Sequence, residues 1–153
     1  MKRVAVAVAS AGVLAIATPM IYKYEGTRYT PYRDSGGVMT VCEGDTYNVD
    51  PNKTYSPDEC AARLKERLTE HNSGMVACVS VPMSDGEHAA YLSFTYNVGV
   101  KAFCNSTLNK KLHAGDRKGA CAELSRWTLV NGVHSRGLER RRAEERKTCE
   151  RDL

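Results

Sequence analysis

The sequence predicts an α+β fold, mostly helical, in a chain of 153 residues that is long enough for one domain with a real core. Three observations carry that prediction. Alternating residues around a glycine-rich turn mark one small β-hairpin region at 27–47. Two capping boxes, apolar stripes at helical spacing and glycine stops mark four or five helices in the rest of the chain. A hydrophobic, uncharged run precedes both and predicts an N-terminal hydrophobic helix.

In the hairpin region Val38, Thr40 and Cys42 alternate with other residues, and Asp34-Ser35-Gly36-Gly37 supplies the turn. A polar loop, Tyr47 to Tyr55, follows. Ser56-Pro57-Asp58-Glu59 is a capping box with proline at the first helical position. Cys60, Leu64 and Leu68 then recur every four residues and form one buried stripe. Ser84-Asp85-Gly86-Glu87 is a second capping box; it opens a helix through Ala89, Leu92, Phe94 and Tyr96 that Gly99 stops. A short helix is expected from Asn105 to Ala114. Asp116 caps the next, with Ala120, Leu124 and Trp127 turned inward. Asn131 to Gly137 reads as a loop leading into a charged helix, Leu138 to Glu150. There are no internal repeats and no low-complexity linker.

The net charge of +4 gives weak attraction to anionic surfaces, and no helix-turn-helix or zinc-finger spacing points to nucleic acid. The six cysteines, Cys42, Cys60, Cys78, Cys104, Cys121 and Cys149, are even in number and spread along the chain, which suits an oxidising compartment. Placing each pair between neighbouring elements favours Cys42–Cys60, Cys78–Cys104 and Cys121–Cys149, with buried free thiols as the alternative. No C-x-x-C occurs, and His71, His88, His113 and His134 lack metal-ligand spacing, so no metal site is expected. No G-x-S-x-G, Walker loop or dinucleotide fingerprint is present, so a serine hydrolase or nucleotide enzyme has no support, and no cofactor is expected.

The chemistry concentrates in Glu25-Gly26-Thr27-Arg28-Tyr29-Thr30-Pro31-Tyr32-Arg33-Asp34-Ser35-Gly36-Gly37-Val38-Met39-Thr40. Glu25 at a helix end and Asp34 on the following hairpin can face each other across a cleft. Glycoside hydrolysis needs such a pair, one carboxyl to protonate the leaving oxygen and one carboxylate for the opposite face. Taken singly, the residues have plainer readings: a helix-end glutamate, a turn aspartate and a β-forming threonine.

The E-G-x₇-D-x₅-T spacing, Gly44-Asp45-Thr46, Phe94-Thr95-Tyr96-Asn97-Val98-Gly99, Ser106-Thr107-Leu108, Arg126-Trp127 and Gly137-Leu138-Glu139-Arg140-Arg141-Arg142 stand in the order in which they recur in one family. With these motifs the chain resembles the phage-type lysozymes, or endolysins, over residues 22–150. The resemblance implies a lysozyme-like fold with a small hairpin region and a helical lobe. It also implies a muramidase that cleaves the β-1,4 bond between N-acetylmuramic acid and N-acetylglucosamine in peptidoglycan, without cofactor and as a monomer. Glu25 would be the general acid, Asp34 would activate water for inversion, and Thr40 would position that water. Inverting pairs stand roughly 6.5–9.5 Å apart to admit the water. A general acid also needs an apolar or carboxylate-flanked setting, which Tyr24 and the apolar run before it are expected to supply. Asn97 lies where the family has a polar residue facing the saccharide; a plain helix-end role is the alternative. Trp127 reads as core before sugar platform, and the Arg136–Arg146 run as a solvated helix face. One departure stands out. Relatives have Gly-x-Gly-His-Thr where this chain has Cys42-Glu43-Gly44-Asp45-Thr46, so a histidine of structural role is replaced by Asp45, and two extra carboxylates enter.

Lys2-Arg3 is followed by Val4 to Tyr22 without a charge, near membrane-spanning length but rich in alanine and therefore weakly hydrophobic. The basic start would keep that end cytoplasmic and send the rest outward. The division expected is a signal-anchor(-release) segment at 1–22 and a catalytic domain at 23–153. In such endolysins the segment first tethers an inactive enzyme to the host inner membrane, facing the periplasm. It then slips out when a holin collapses the membrane potential, and the enzyme is released to the periplasm. A permanent anchor and a cleaved signal peptide with Ala15-Ile16-Ala17 as its site are alternatives. So are a secreted lysozyme and a non-catalytic peptidoglycan-binding module. A transglycosylase is a further, smaller possibility.

Overall fold

The computed structural model describes residues 8–153. The Lys2-Arg3 pair and Val4 to Ala7, which open the uncharged run, lie outside the described residues. Helix α1 (Ala11–Glu25) begins where the Ser10 hydroxyl accepts the Val13 N–H at 3.2 Å. It ends where Gly26, at φ +66°, turns the chain and returns its N–H to Tyr22 O. Val13, Ala17, Met20 and Ile21 form its buried stripe. The helix runs without a break through the expected 22/23 boundary. Among the described residues no helix is long and apolar enough to cross a membrane.

Strands β1 (Arg28–Arg33) and β2 (Met39–Cys42) pair antiparallel, with Arg28 opposite Cys42, Tyr32 opposite Thr40 and Arg33 opposite Met39, and an irregularity between. Their turn is closed by Asp34, which exchanges backbone hydrogen bonds with Val38 and Gly37. Helices α2 (Pro57–Ala77), α3 (Asp85–Val98), α4 (Val100–Cys104), α5 (Thr107–His113) and α6 (Arg117–Glu123) follow. A 3₁₀ turn (Leu124–Arg126), strands β3 (Leu129–Val130) and β4 (Val133–His134), and helix α7 (Arg136–Glu150) complete the chain. The result is an α+β molecule, mostly helical.

The main core surrounds α3, whose residues from Ala89 to Thr95 are all buried. Such a helix carries no solvent face and must be central. Val13, Ala17 and Ile21 of α1 reach it on one side, Leu64 and Leu68 of α2, Phe103 and Leu108 on others. Glu87 is buried too, but its carboxylate closes the α3 capping box with Ser84 and meets Arg117 Nε at 3.1 Å. A second, smaller core of Val41, Cys42, Tyr55 and Cys60 lies beneath the hairpin.

The cysteines are joined as Cys42–Cys60, Cys78–Cys104 and Cys121–Cys149, with Cα separations of 5.2, 5.8 and 5.7 Å. They tie the hairpin lobe to the first turn of α2, the end of α2 to α4, and α6 to α7.

Three local expectations are corrected. The expected loop from Asn131 contains a hairpin, because Asn131 (φ 49°) and Gly132 (φ 79°) adopt the left-handed pair that a two-residue turn demands. The helix expected over 105–114 is present as α5, capped by the Ser106 hydroxyl through Asn109 N–H, but a short helix not expected from the sequence, α4, precedes it where Gly99 restarts the chain. The Arg136–Arg146 run is not a uniformly solvated face: Arg141 and Arg142 are 2% and 1% exposed. Both converge on Glu145, which is fully buried.

Candidate active site

Glu25 is the last residue of α1, half-buried where the helix gives way to the hairpin. Its Oε1 accepts from Arg141 Nη1 at 2.5 Å. Arg141 is fixed by Glu145 Oε1 at 3.0 Å and by the Ser93 carbonyl at 3.0 Å. Ser93 Oγ in turn donates to Glu145 Oε1 at 2.8 Å. The carboxyl of Glu25 therefore rests on a network that spans α1, α3 and α7. Its other oxygen, Oε2, faces Gly44, where a Cβ would stand only 3.0 Å away. Gly44 at φ +76° lets the backbone pass that close. The Tyr24 hydroxyl turns to Glu144 and to the Arg140 carbonyl, and its ring centroid lies 5.7 Å from the Arg141 guanidinium.

Asp34 sits at the hairpin tip. Its Oδ1 accepts the N–H groups of Gly36 and Val38, both at 2.9 Å, so the turn role is real and Oδ2 is not consumed by it. Thr40 is 3% exposed on β2, its hydroxyl donating to the Val38 carbonyl at 2.8 Å. The hairpin thus carries Asp34 and Thr40, while α1 carries Glu25 to the base of the same hairpin at Gly44. Asn97 is exposed near the end of α3 and accepts from Arg142 Nη2. Trp127 packs edge-on against Phe94 at 5.2 Å and is half-buried beside Asn97 in a shallow pocket with Leu129 and Leu138. An apolar groove of about 220 Å³ runs between α1 and α2, lined by Leu14, Thr18, Tyr22, Leu64 and Leu68; Glu25, Asp34 and Thr40 do not line it.

The turn after β2 explains the departure at 42–46. Cys42 has φ 59°, a left-handed conformation that suits glycine and is costly for other residues. Its disulfide to Cys60 holds it there. Asp45 is buried and pairs with Arg63 Nη1 at 2.6 Å while accepting the Tyr47 N–H, so its role is structural. Glu43 is different. It is 2% exposed, and its Oε2 has no hydrogen-bond partner. Burial pushes its carboxyl above the usual range, and neighbouring Asp45 adds to that. Tyr96 donates to the Glu43 carbonyl at 2.8 Å. Burial first, then the charges of Glu25, Asp45 and Glu43, hold its phenol protonated far above neutral pH. Among the described residues, the one trio of His, Cys, Asp or Glu close enough to share a metal ion is Cys42, Glu43 and Cys60, and the disulfide occupies both sulfurs.

Arg141, Glu145, Tyr96 and Gly44 escaped the sequence reading as site residues. The signal for the first two was present: Arg141, Arg142 and Glu145 stand at i, i+4 and i, i+3 spacing in a run otherwise read as solvated.

The phage lysozyme family model matches residues 22–145. A SAR-endolysin of Bacteriophage PS119 is 41% identical over 147 residues, covering 92% of this chain and 88% of the relative. A SAR-endolysin of Enterobacteria phage P21 is 39% identical over 155 residues, covering 97% and 93%. Among solved structures, an endolysin from Escherichia coli O157:H7 phage FAHEc1 superposes with a TM-score of 0.80 at 26% identity, covering 96% of each chain. The order of motifs, the hairpin-and-helices architecture and these likenesses agree: the chain belongs to the phage lysozyme family, and it is a glycoside hydrolase of the lysozyme type.

Proposed function

We propose that this protein is a muramidase that lyses a bacterial host at the end of a phage cycle, with Glu25 as general acid, Asp34 as the base that activates water and Thr40 as the residue that positions it. The observation that carries this reading is the setting of Glu25. One oxygen is committed to Arg141, and the other faces open backbone at Gly44. Oε2 is thus the oxygen free to hold a proton and deliver it to the glycosidic oxygen. Asp34, with Oδ2 unclaimed by its turn, takes a proton from the water that attacks the anomeric carbon on the opposite face. Thr40 donates its hydroxyl hydrogen to Val38, which leaves its oxygen lone pairs as acceptors for that water. The bond to the leaving sugar breaks as the new C–O bond forms, and the configuration inverts.

The substrate is the glycan strand of peptidoglycan. The names of the relatives and the uncharged run support a regulated form as well, with the N-terminal segment tethered in the inner membrane, dependent on a holin, and later released to the periplasm. In this structure α1 lies packed against α3 and α7, which places Glu25 on Arg141. A helix held in the bilayer could not make that contact.

Residues 8–153, oxidised and mixed with purified Gram-negative peptidoglycan, test the chemistry by mass spectrometry of the products. Reducing muramic acid ends from the wild type, absent with Glu25→Gln and with Asp34→Asn, are the expected result. Anhydro ends would make it a transglycosylase, and bound glycan without product a binding module. Lysis before depolarisation by a version with a cleavable leader would refute the tethered form.

A further inference from the structure

The last turn of α1 is tied to a single turn of α7. Lys23 Nζ meets Glu144 Oε2 at 2.9 Å, and the Tyr24 hydroxyl donates to the same oxygen and lies 3.3 Å from the Arg140 carbonyl. Glu25 meets Arg141. Three consecutive residues of one helix thus engage residues 140–144 of another. The rest of the α1 interface is mainly apolar and small: Val13, Ala17 and Ile21 pack into the main core. Such contacts hold a helix against its neighbour, but they are non-directional. They set neither its rotation nor its axial register sharply. Directional bonds do. Immediately after Glu25 the chain gives no help, since Gly26 is an exposed glycine at positive φ.

We propose that Glu144 is a positioning residue for the catalytic acid. By taking the Tyr24 hydroxyl and the Lys23 ammonium on one carboxylate oxygen, it fixes the rotation of the last turn of α1. That keeps Oε1 of Glu25 on Arg141 and Oε2 over Gly44. The inference rests on the reading of Glu25 as the acid. Charge-assisted bonds suit the task, being shorter and stronger than neutral ones. The Tyr24 hydrogen bond foremost, and then Lys23, draw the Glu144 carboxyl below its ordinary range, which agrees with an occupied anionic acceptor. Glu144 does not contact the reacting atoms; it acts through Tyr24 and the helix end.

The test compares Glu144→Ala, Glu144→Gln, Tyr24→Phe and the double variant Tyr24→Phe/Glu144→Ala in the oxidised protein. Turnover on a soluble peptidoglycan oligomer is split into kcat and KM, and melting is followed by circular dichroism. Misplacing a catalytic group by about 1 Å can cost about 100-fold, so the smaller shift expected in Glu144→Ala should lower kcat about 10-fold with KM unchanged. Its melting point should move by no more than a few degrees, because the Lys23 pair is exposed. Glu144→Gln keeps an acceptor for Tyr24 and should recover most of kcat. The double variant should be little slower than Glu144→Ala, since the two changes share the Tyr24–Glu144 bond. A wild-type kcat in Glu144→Ala, or a loss confined to KM, overturns the proposal. Multiplicative losses in the double variant also overturn it. Full activity in Glu25→Gln would instead remove the reading of Glu25 on which it stands.

Discussion

Arg141→Met separates a buried ion network from surface pairs. Arg141 is 2% exposed and gives up four bonds on truncation: to Glu25 Oε1 at 2.5 Å, Glu145 Oε1 at 3.0 Å, the Ser93 carbonyl at 3.0 Å and the Ser93 hydroxyl at 3.4 Å. Breaking a buried pair from one side costs about 3–5 kcal/mol, because it leaves the other charge uncompensated. Here Glu145 keeps Arg142 and the Ser93 hydroxyl, so the lower figure applies, about 3 kcal/mol. In a chain of this size each kcal/mol moves the melting point by about 2–4 °C, which gives a fall of about 6–12 °C. Arg126→Met is the control. Its pair with Glu123 spans 3.5 Å with the arginine side chain 77% exposed, and surface pairs are worth about 0–1 kcal/mol. Differential scanning calorimetry of the two oxidised variants reads the contrast directly. Turnover on peptidoglycan should fall about 10-fold or more in Arg141→Met, since Oε1 of Glu25 loses its anchor. Arg141→Lys should rescue little, because one ammonium cannot span Glu25, Glu145 and the Ser93 carbonyl together. Equal melting shifts for Arg141→Met and Arg126→Met would refute the claim that the network is a buried structural element.

The remaining expectations are narrower. Replacing Cys42 and Cys60 by alanine opens an 18-residue loop and should cost about 3 kcal/mol, read as a lower denaturant midpoint; an unchanged midpoint would show that the link constrains nothing. Glu43 is held above its ordinary range by burial, so the folded state binds a proton that the unfolded chain releases. Its stability cost therefore begins as pH rises through the unfolded value and is complete above the folded one. Glu43→Gln should raise the melting point near neutral pH and change it little in acid, at about pH 4; a larger gain in acid contradicts the sign. At Gly86 an added Cβ would meet the Thr148 carbonyl at 2.5 Å, so Gly86→Ala should destabilise by about 1–3 kcal/mol in urea unfolding, and a neutral result would mean that α3 and α7 separate easily.

Local signals were legible in the sequence because local physics made them. Ser56 and Ser84 accept the N–H groups of Glu59 and Glu87, three residues on, and Glu87 closes its box on Ser84 N–H as predicted, while Glu59 turns to Lys53 instead. The hairpin was readable from Asp34-Ser35-Gly36-Gly37, whose aspartate closes its own turn. What stayed hidden was non-local. Nothing in the order of residues says that Arg141 meets Glu25 across 116 positions of chain, or that Asp45 would find Arg63 on α2. The buried arginines misled because charge was read as exposure. A carboxylate at i+3 or i+4 stabilises a surface helix, and the same spacing lets a fully buried glutamate neutralise two arginines inward. The hairpin at Asn131-Gly132 was missed because its strands are only two residues each, too short to show alternation.

If Glu25 is the general acid, as proposed, its placement couples catalysis to the integrity of the fold. Glu25 is the last residue of α1, and α1 contributes Val13, Ala17 and Ile21 to the main core. Withdrawing the helix would remove Glu25 from Arg141 and, in the same step, uncover apolar surface on α3 and leave the buried Arg141–Arg142–Glu145 cluster with one carboxylate fewer. The two arginines would then share one buried glutamate, a net positive charge in a poorly solvated place. On that proposal, a protein with α1 undocked lacks activity on two counts, a missing acid and a destabilised receptor for it. Docking restores both together, because the carboxyl that completes the site also completes the charge balance of the core. A site built on an independent loop would lack that linkage. On the proposal that Glu25 is the acid, activity and the closed fold form and fail as one transition.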